Sequence, residues 1–149
     1  MAVIETKDYG FDAIIENLKA LGGEEISVGV LRTAGKEKDG TDLVDVAVYN
    51  EYGTKRIPPR PFLRQATDKH GGKWQDFIEQ CVDKIIARQI KDRQALDLIG
   101  LKAQKDVQNT IDNGTFKPNK PSTIARKGSS KPLIDTGTLR RAIRYRIEE

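Results

Sequence analysis

The chain has 149 residues, 37% of them hydrophobic and 32% charged, with a net charge of +4. That is enough for one domain over 1–149 with a modest core. No apolar run approaches the roughly 20 residues of a membrane span, and the start lacks the basic-then-apolar pattern of a signal peptide. Cys81 is the sole cysteine, which excludes an internal disulfide and a cysteine-based metal site and fits folding in a cytoplasm. Charge is unevenly spread. From Lys117 onward nine Lys or Arg face Asp135, Glu148 and Glu149, a net +6 that leaves the rest at −2. A basic end on a slightly acidic body suits nucleic acid or an acidic neighbouring subunit.

Tyr9 to Leu21 sets Phe11, Ile14, Ile15, Leu18 and Leu21 at three- and four-residue steps, which predicts an amphipathic helix stopped by Gly22-Gly23. Glu25 to Arg32 alternates, with Ile26, Val28 and Val30 on one side, as a half-buried strand does. Thr33–Thr41 is polar and glycine-containing, so a flexible loop is expected over about 33–42. Leu43 to Tyr49 resumes the alternation through Val44, Val46 and Val48. The two alternating stretches should therefore pair as an antiparallel hairpin with a long tip.

Next comes Tyr49 to Arg64. Gly53 permits a turn that a Cβ would obstruct. Pro58, Pro59 and Pro61 stiffen Ile57–Arg60 into an extended connector, and Pro61 suits the first position of a helix. Phe62 begins a helical pattern that His70-Gly71-Gly72 should interrupt. From Lys73 the stripe is strong: Trp74, Phe77, Ile78, Cys81, Val82, Ile85, Ile86 and Ile90. Asp92–Ile111 reads as a second helix or a continuation, ended by Asn113-Gly114.

Thr115–Lys131 is rich in Lys, Pro, Ser and Gly and reads as flexible, with one short helical turn starting near Ile124 and Ala125. Asp135 or Thr136 is placed to cap a short helix over Gly137–Arg141. Ile143, Tyr145 and Ile147 then alternate with Arg144 and Arg146, a strand with an apolar inner face and a cationic outer one. The fold class expected is α+β: an antiparallel sheet of three or more strands packed on an N-terminal helix and one or two long central helices.

Reactive chemistry is hard to find. His70 has no nucleophile or orienting carboxylate near it in sequence and reads as an exposed loop histidine. Cys81 sits in the apolar stripe and reads as a small buried hydrophobe. Asp42 and Asp45 alone make a poor metal site. No phosphate-loop or dinucleotide signature is present. The expectation is no catalytic residue, no metal and no cofactor. Arg140, Arg141, Arg144 and Arg146, interleaved with Tyr145, leave a nucleic-acid-binding accessory protein as the rival to a purely structural role.

Two stretches carry a resemblance. Asn50-Glu51-Tyr52-Gly53-Thr54 followed by Ile57-Pro58-Pro59-Arg60-Pro61-Phe62-Leu63-Arg64 is similar to the signature "EFGT…IPARPFLRPA" of the neck or tail-completion proteins of long-tailed bacteriophages and prophages. Pro132-Leu133-Ile134-Asp135-Thr136-Gly137-Thr138-Leu139-Arg140 resembles that family's second signature, "PLIDTGRLRxSI". The order and separation match the family's. Tyr52 stands for Phe, Thr138 for Arg or Lys, and Ala142 for Ser. The resemblance implies a non-enzymatic virion protein, made in the host cytoplasm, that joins or terminates the tail at the head–tail junction. It implies a homo-oligomeric ring, with sixfold symmetry inherited from the tail. The partners implied are the head–tail connector and the tail tube or terminator, with contact to packaged DNA and none to membrane. On this reading Tyr52, Gly53, Arg56, Ile57, Pro58, Pro59, Arg60, Phe62, Arg64, Asp135, Thr136 and Arg140 form the subunit or partner interface. Lys127, Arg141, Arg144 and Arg146 face DNA.

Overall fold

A computed structural model describes residues 9–134 and 137–148. Helix α1 spans Phe11–Gly23, strand β1 Glu25–Val30, and a single 3-10 turn Arg32–Ala34. Helices α2 (Leu43–Tyr52), α3 (Phe62–Ile86), α4 (Asp92–Asn113), α5 (Pro121–Lys127) and α6 (Thr138–Ala142) follow, and strand β2 (Ile143–Glu148) comes last.

The expected sheet of three or more strands is wrong. The chain is mostly helical, at 62%, and the described residues form only a two-stranded antiparallel sheet. The error lies at Leu43–Tyr49, which is helix and pairs with nothing. Leu43, Ala47 and Glu51 are its buried residues, four apart, whereas Val48 is exposed. In so short a run alternate valines fit a helical face as well as a strand, and the tertiary contacts of Ala47 and Glu51 decide. The predicted hairpin is therefore absent. β1 pairs instead with β2, in a register running from Glu25 opposite Glu148 to Val30 opposite Ile143.

α3 and α4 form an antiparallel helix pair at the centre. Early α3 meets late α4 in one apolar cluster, through Phe62, Ala66, Val107 and Ile111. Late α3 meets early α4 in a second, through Cys81, Ile85, Ala95 and Ile99. A tight turn separates the two helices, with Arg88 at φ 59° and the Lys91 N–H donating to Gln94 Oε1 to open α4. His70-Gly71-Gly72 does not interrupt α3. A helical glycine costs about 1 kcal/mol against alanine, and the buried turns on either side outweigh that cost.

α1 closes the second cluster with Leu18 and Leu21 and is tied to the start of α4 by the Asp92 N–H, which donates to Asn17 Oδ1. The sheet lies on α4. Gly100 admits the Tyr145 ring, whose atoms would stand 2.3 Å from a Cβ there. The stretch 33–42 contains the 3-10 turn and a bridge between Lys36 and Asp42. Asp135 and Thr136 lie outside the described residues. Gly137, at φ 75°, occupies the N-cap position of α6.

Candidate subunit interface at the α2–α3 junction

The first signature folds into a hairpin bend between α2 and α3. Gly53 ends α2 at φ 77°, its N–H donating to the Tyr49 carbonyl. A Cβ there would lie 2.9 Å from Pro59 Cδ, so glycine is required by both φ and space. Thr54 pins the bend. Its Oγ1 accepts from the N–H groups of Arg56 and Ile57, and its own N–H donates to the Ile57 carbonyl. The Arg60 N–H returns to the Asn50 carbonyl at 2.6 Å.

Glu51 ties the end of α2 to the start of α3. Its side chain is 5% exposed. Its carboxylate accepts from the N–H groups of Leu63 (2.9 Å) and Arg64 (3.1 Å), two of the unpaired donors at the start of α3. Arg64 completes the arrangement, donating through Nε to Glu51 Oε1 at 3.0 Å and through Nη2 to the Glu51 carbonyl at 2.6 Å. The Arg64 guanidinium also lies over the Tyr52 ring, 5.1 Å from its centroid.

Arg60 is buried, at 6% exposure. Nε donates to the Lys117 carbonyl at 2.8 Å and Nη2 to Asn119 Oδ1 at 2.9 Å, so it anchors the chain that leaves α4. Burial holds its pKa below the usual arginine value. Phe62 is fully buried and shares one cluster with Leu133 and Leu139 of the second signature. Arg140 grips Asp112 with Nε 2.7 and 2.9 Å from the two carboxylate oxygens.

The expected interface residues thus divide. Arg60 and Phe62 are internal, and Gly53, Ile57, Pro58 and Arg140 are half-buried. Tyr52, Arg56, Pro59 and Arg64 are exposed, and Asp135 and Thr136 are not among the described residues. Sequence reasoning missed what lies beside the exposed group. Val48, Tyr49 and Tyr52 are 46%, 42% and 69% exposed, an apolar face of α2. A groove of about 470 Å³ runs beside it, lined by Val30, Val48, Tyr52, Arg64, Thr67 and Asp68 among others. Reading Leu43–Tyr49 as a strand put Val48 and Tyr49 on opposite faces and left Tyr52 in the connector. Helical numbering would have gathered them.

The basic residues do not form one surface element. Lys127 is on α5 and Arg141 on α6, while Arg144 and Arg146 share the outer face of β2, where Arg146 pairs with Glu148. His70 stacks near Trp74, at 6.4 Å between ring centroids, and is half-buried on α3. Burial pushes the Cys81 thiol up, away from the reactive thiolate. Among the described residues no helix is long and apolar enough to cross a membrane. Comparison with known protein families, curated proteins and solved structures finds no match to this chain.

Proposed function

We propose that the protein is a structural component of the head–tail junction of a long-tailed bacteriophage, a neck or tail-completion protein that works by ring assembly and without catalysis. The observation that carries the reading is the meeting of the two signature stretches. Residues 75 or so apart in sequence, Phe62 with Leu133 and Leu139, form one apolar cluster. Both stretches therefore build the same end of the molecule. The buried members of the signatures, Glu51, Arg60 and Phe62, make that end rigid. The exposed members, Tyr52, Arg56 and Arg64, stand with Val48 and Tyr49 as its contact surface. Aromatic and arginine side chains around an apolar patch are the usual makings of a subunit contact.

Deleting the gene from its phage is the direct test. The reading expects separate filled heads and tails to accumulate. Normal virions in its absence would end it. A Tyr49→Asp, Tyr52→Asp double variant sharpens the result: it should fold as the parent does by circular dichroism and fail to complement the deletion.

A further inference from the structure

The two outer edges of the sheet are treated differently. On β2 the Tyr145 N–H donates to Gln104 Oε1 at 2.9 Å, and the Ile143 carbonyl accepts from Gln108 Nε2 at 3.3 Å. These bonds point away from β1. Backbone groups alternate direction along a strand, so Arg144, Arg146 and Glu148 bond to Gly29, Ser27 and Glu25. The N–H and C=O groups of Ile26, Val28 and Val30 then point to the far edge of β1. No described residue hydrogen-bonds to them there. That edge carries no proline, lysine or bulge of the kind that protects exposed strands.

Beside the bare edge lies an apolar gap of about 520 Å³, lined by Ile26, Val28, Leu63, Trp74, Ile78 and Ile99 among others. Glu24, just before β1, also lines it, and its Oε2 is buried with no hydrogen-bond partner. Arg32, two residues beyond β1, is exposed and enters none of the ion pairs among the described residues.

We propose that this edge pairs with β1 of a second copy of the chain, antiparallel about a twofold axis at Val28. The register makes the edge self-complementary. Val28 faces Val28, Ile26 faces Val30, and all three outward-pointing residues fall in hydrogen-bonded pairs. Opposed residues share a face of a sheet. The Ile26, Val28 and Val30 side chains of both strands therefore lie on one face, each on its own copy's core, and the gaps of the two copies adjoin along the seam. Arg32, which opens the 3-10 turn just after the paired run, is then within side-chain reach of Glu24 of the other copy and supplies the missing partner for the buried oxygen. The pairing does not rest on the virion reading; it concerns the free protein in solution.

Sedimentation velocity over a dilution series of the full chain tests it. The expected result is a reversible monomer–dimer equilibrium. Val28→Pro removes an outward N–H without touching the bonds to β2, so it should abolish the dimer and keep the far-ultraviolet spectrum. Glu24→Arg and Arg32→Glu should each weaken dimerisation by about tenfold. The double reversal should restore it, since it rebuilds both pairs with exchanged signs. A wild-type chain that stays monomeric at all concentrations overturns the proposal. So does a dimer indifferent to Val28→Pro, or a double reversal as weak as the singles. If Val28→Pro fails to fold, the reversal set decides alone. A dimer dissolved by Tyr52→Asp instead would assign association to the α2 face and refute the edge pairing.

Discussion

The two central helices are similar in length and opposite in cover. α4 buries eight of its 22 residues, spaced from Ala95 to Ile111, because the sheet, α1 and α6 all lie on it. α3 buries four of 25, two at each end, and none between Ala66 and Cys81. Glycine means opposite things in the two. Gly100 is in α4 because Tyr145 sits where its side chain would be. Gly71 and Gly72 are in α3 with nothing within 4 Å of a Cβ. A helix held at both ends tolerates weak turns in its middle. The lesson is that anchoring, more than propensity, makes α3 one helix.

The anchor at the start of α3 is the place to break the comparison hardest. Arg60→Glu would set a carboxylate against the Lys117 carbonyl in a buried site, with the Asn119 amide left to turn a donor toward it. The expected loss is about 4 kcal/mol, near the limit for a small domain. Urea unfolding should show the midpoint collapsing. A variant with an unchanged midpoint would mean that the bonds of Arg60 to Lys117 and Asn119 do not hold the start of α3. Gly100→Ala comes next. The new methyl must displace the Tyr145 ring and with it β2, at about 2 kcal/mol.

Gly71→Ala and Gly72→Ala should have the reverse sign. Each is helical, and neither Cβ meets a neighbour. Each change should raise stability by up to about 1 kcal/mol, read as a higher melting temperature. Destabilisation by both would show that the middle of α3 is not a plain helix in solution.

How much of this could be read from the residues is itself uneven. α1 and the second half of α3 announce themselves, since apolar spacing over many residues leaves one periodicity standing. α4, β1 and β2 are also read correctly, although the two strands are only six residues each. α2 is not. Its valines at 44, 46 and 48 alternate, and only the fold reveals that Ala47 and Glu51 carry the contacts. The pairing of β1 followed that error, because a strand assigned to Leu43–Tyr49 left β2 as an addition. For the candidate interface, the bend at Gly53 and the stiff prolines were legible, whereas the depth of Arg60 and the role of Glu51 were not. Both depend on partners distant in sequence, Asn119 for one and the start of α3 for the other. Charge on a motif says nothing of which way it points.

The mildest way to sharpen the contrast acts on the sheet's grip on α4. Tyr145 donates its hydroxyl to Asp97 Oδ1 at 3.0 Å. That bond, with burial and the Asp97 charge, raises the phenol's pKa above its ordinary value, and Arg93 opposes the rise. A group whose folded pKa exceeds its unfolded one stabilises fully below the unfolded value, about 10 for tyrosine. The contribution is lost as pH climbs through the folded value. Stability should therefore fall on the alkaline side as the phenolate forms and loses its bond to Asp97. Tyr145→Phe should lower stability by about 1 kcal/mol at neutral pH. It should also flatten the alkaline fall relative to the parent, because the variant has no phenol there to ionise. An alkaline limb of equal depth in both proteins would move the effect away from the sheet–α4 contact, to groups such as the buried Cys81 thiol, whose pKa is raised in the same sense.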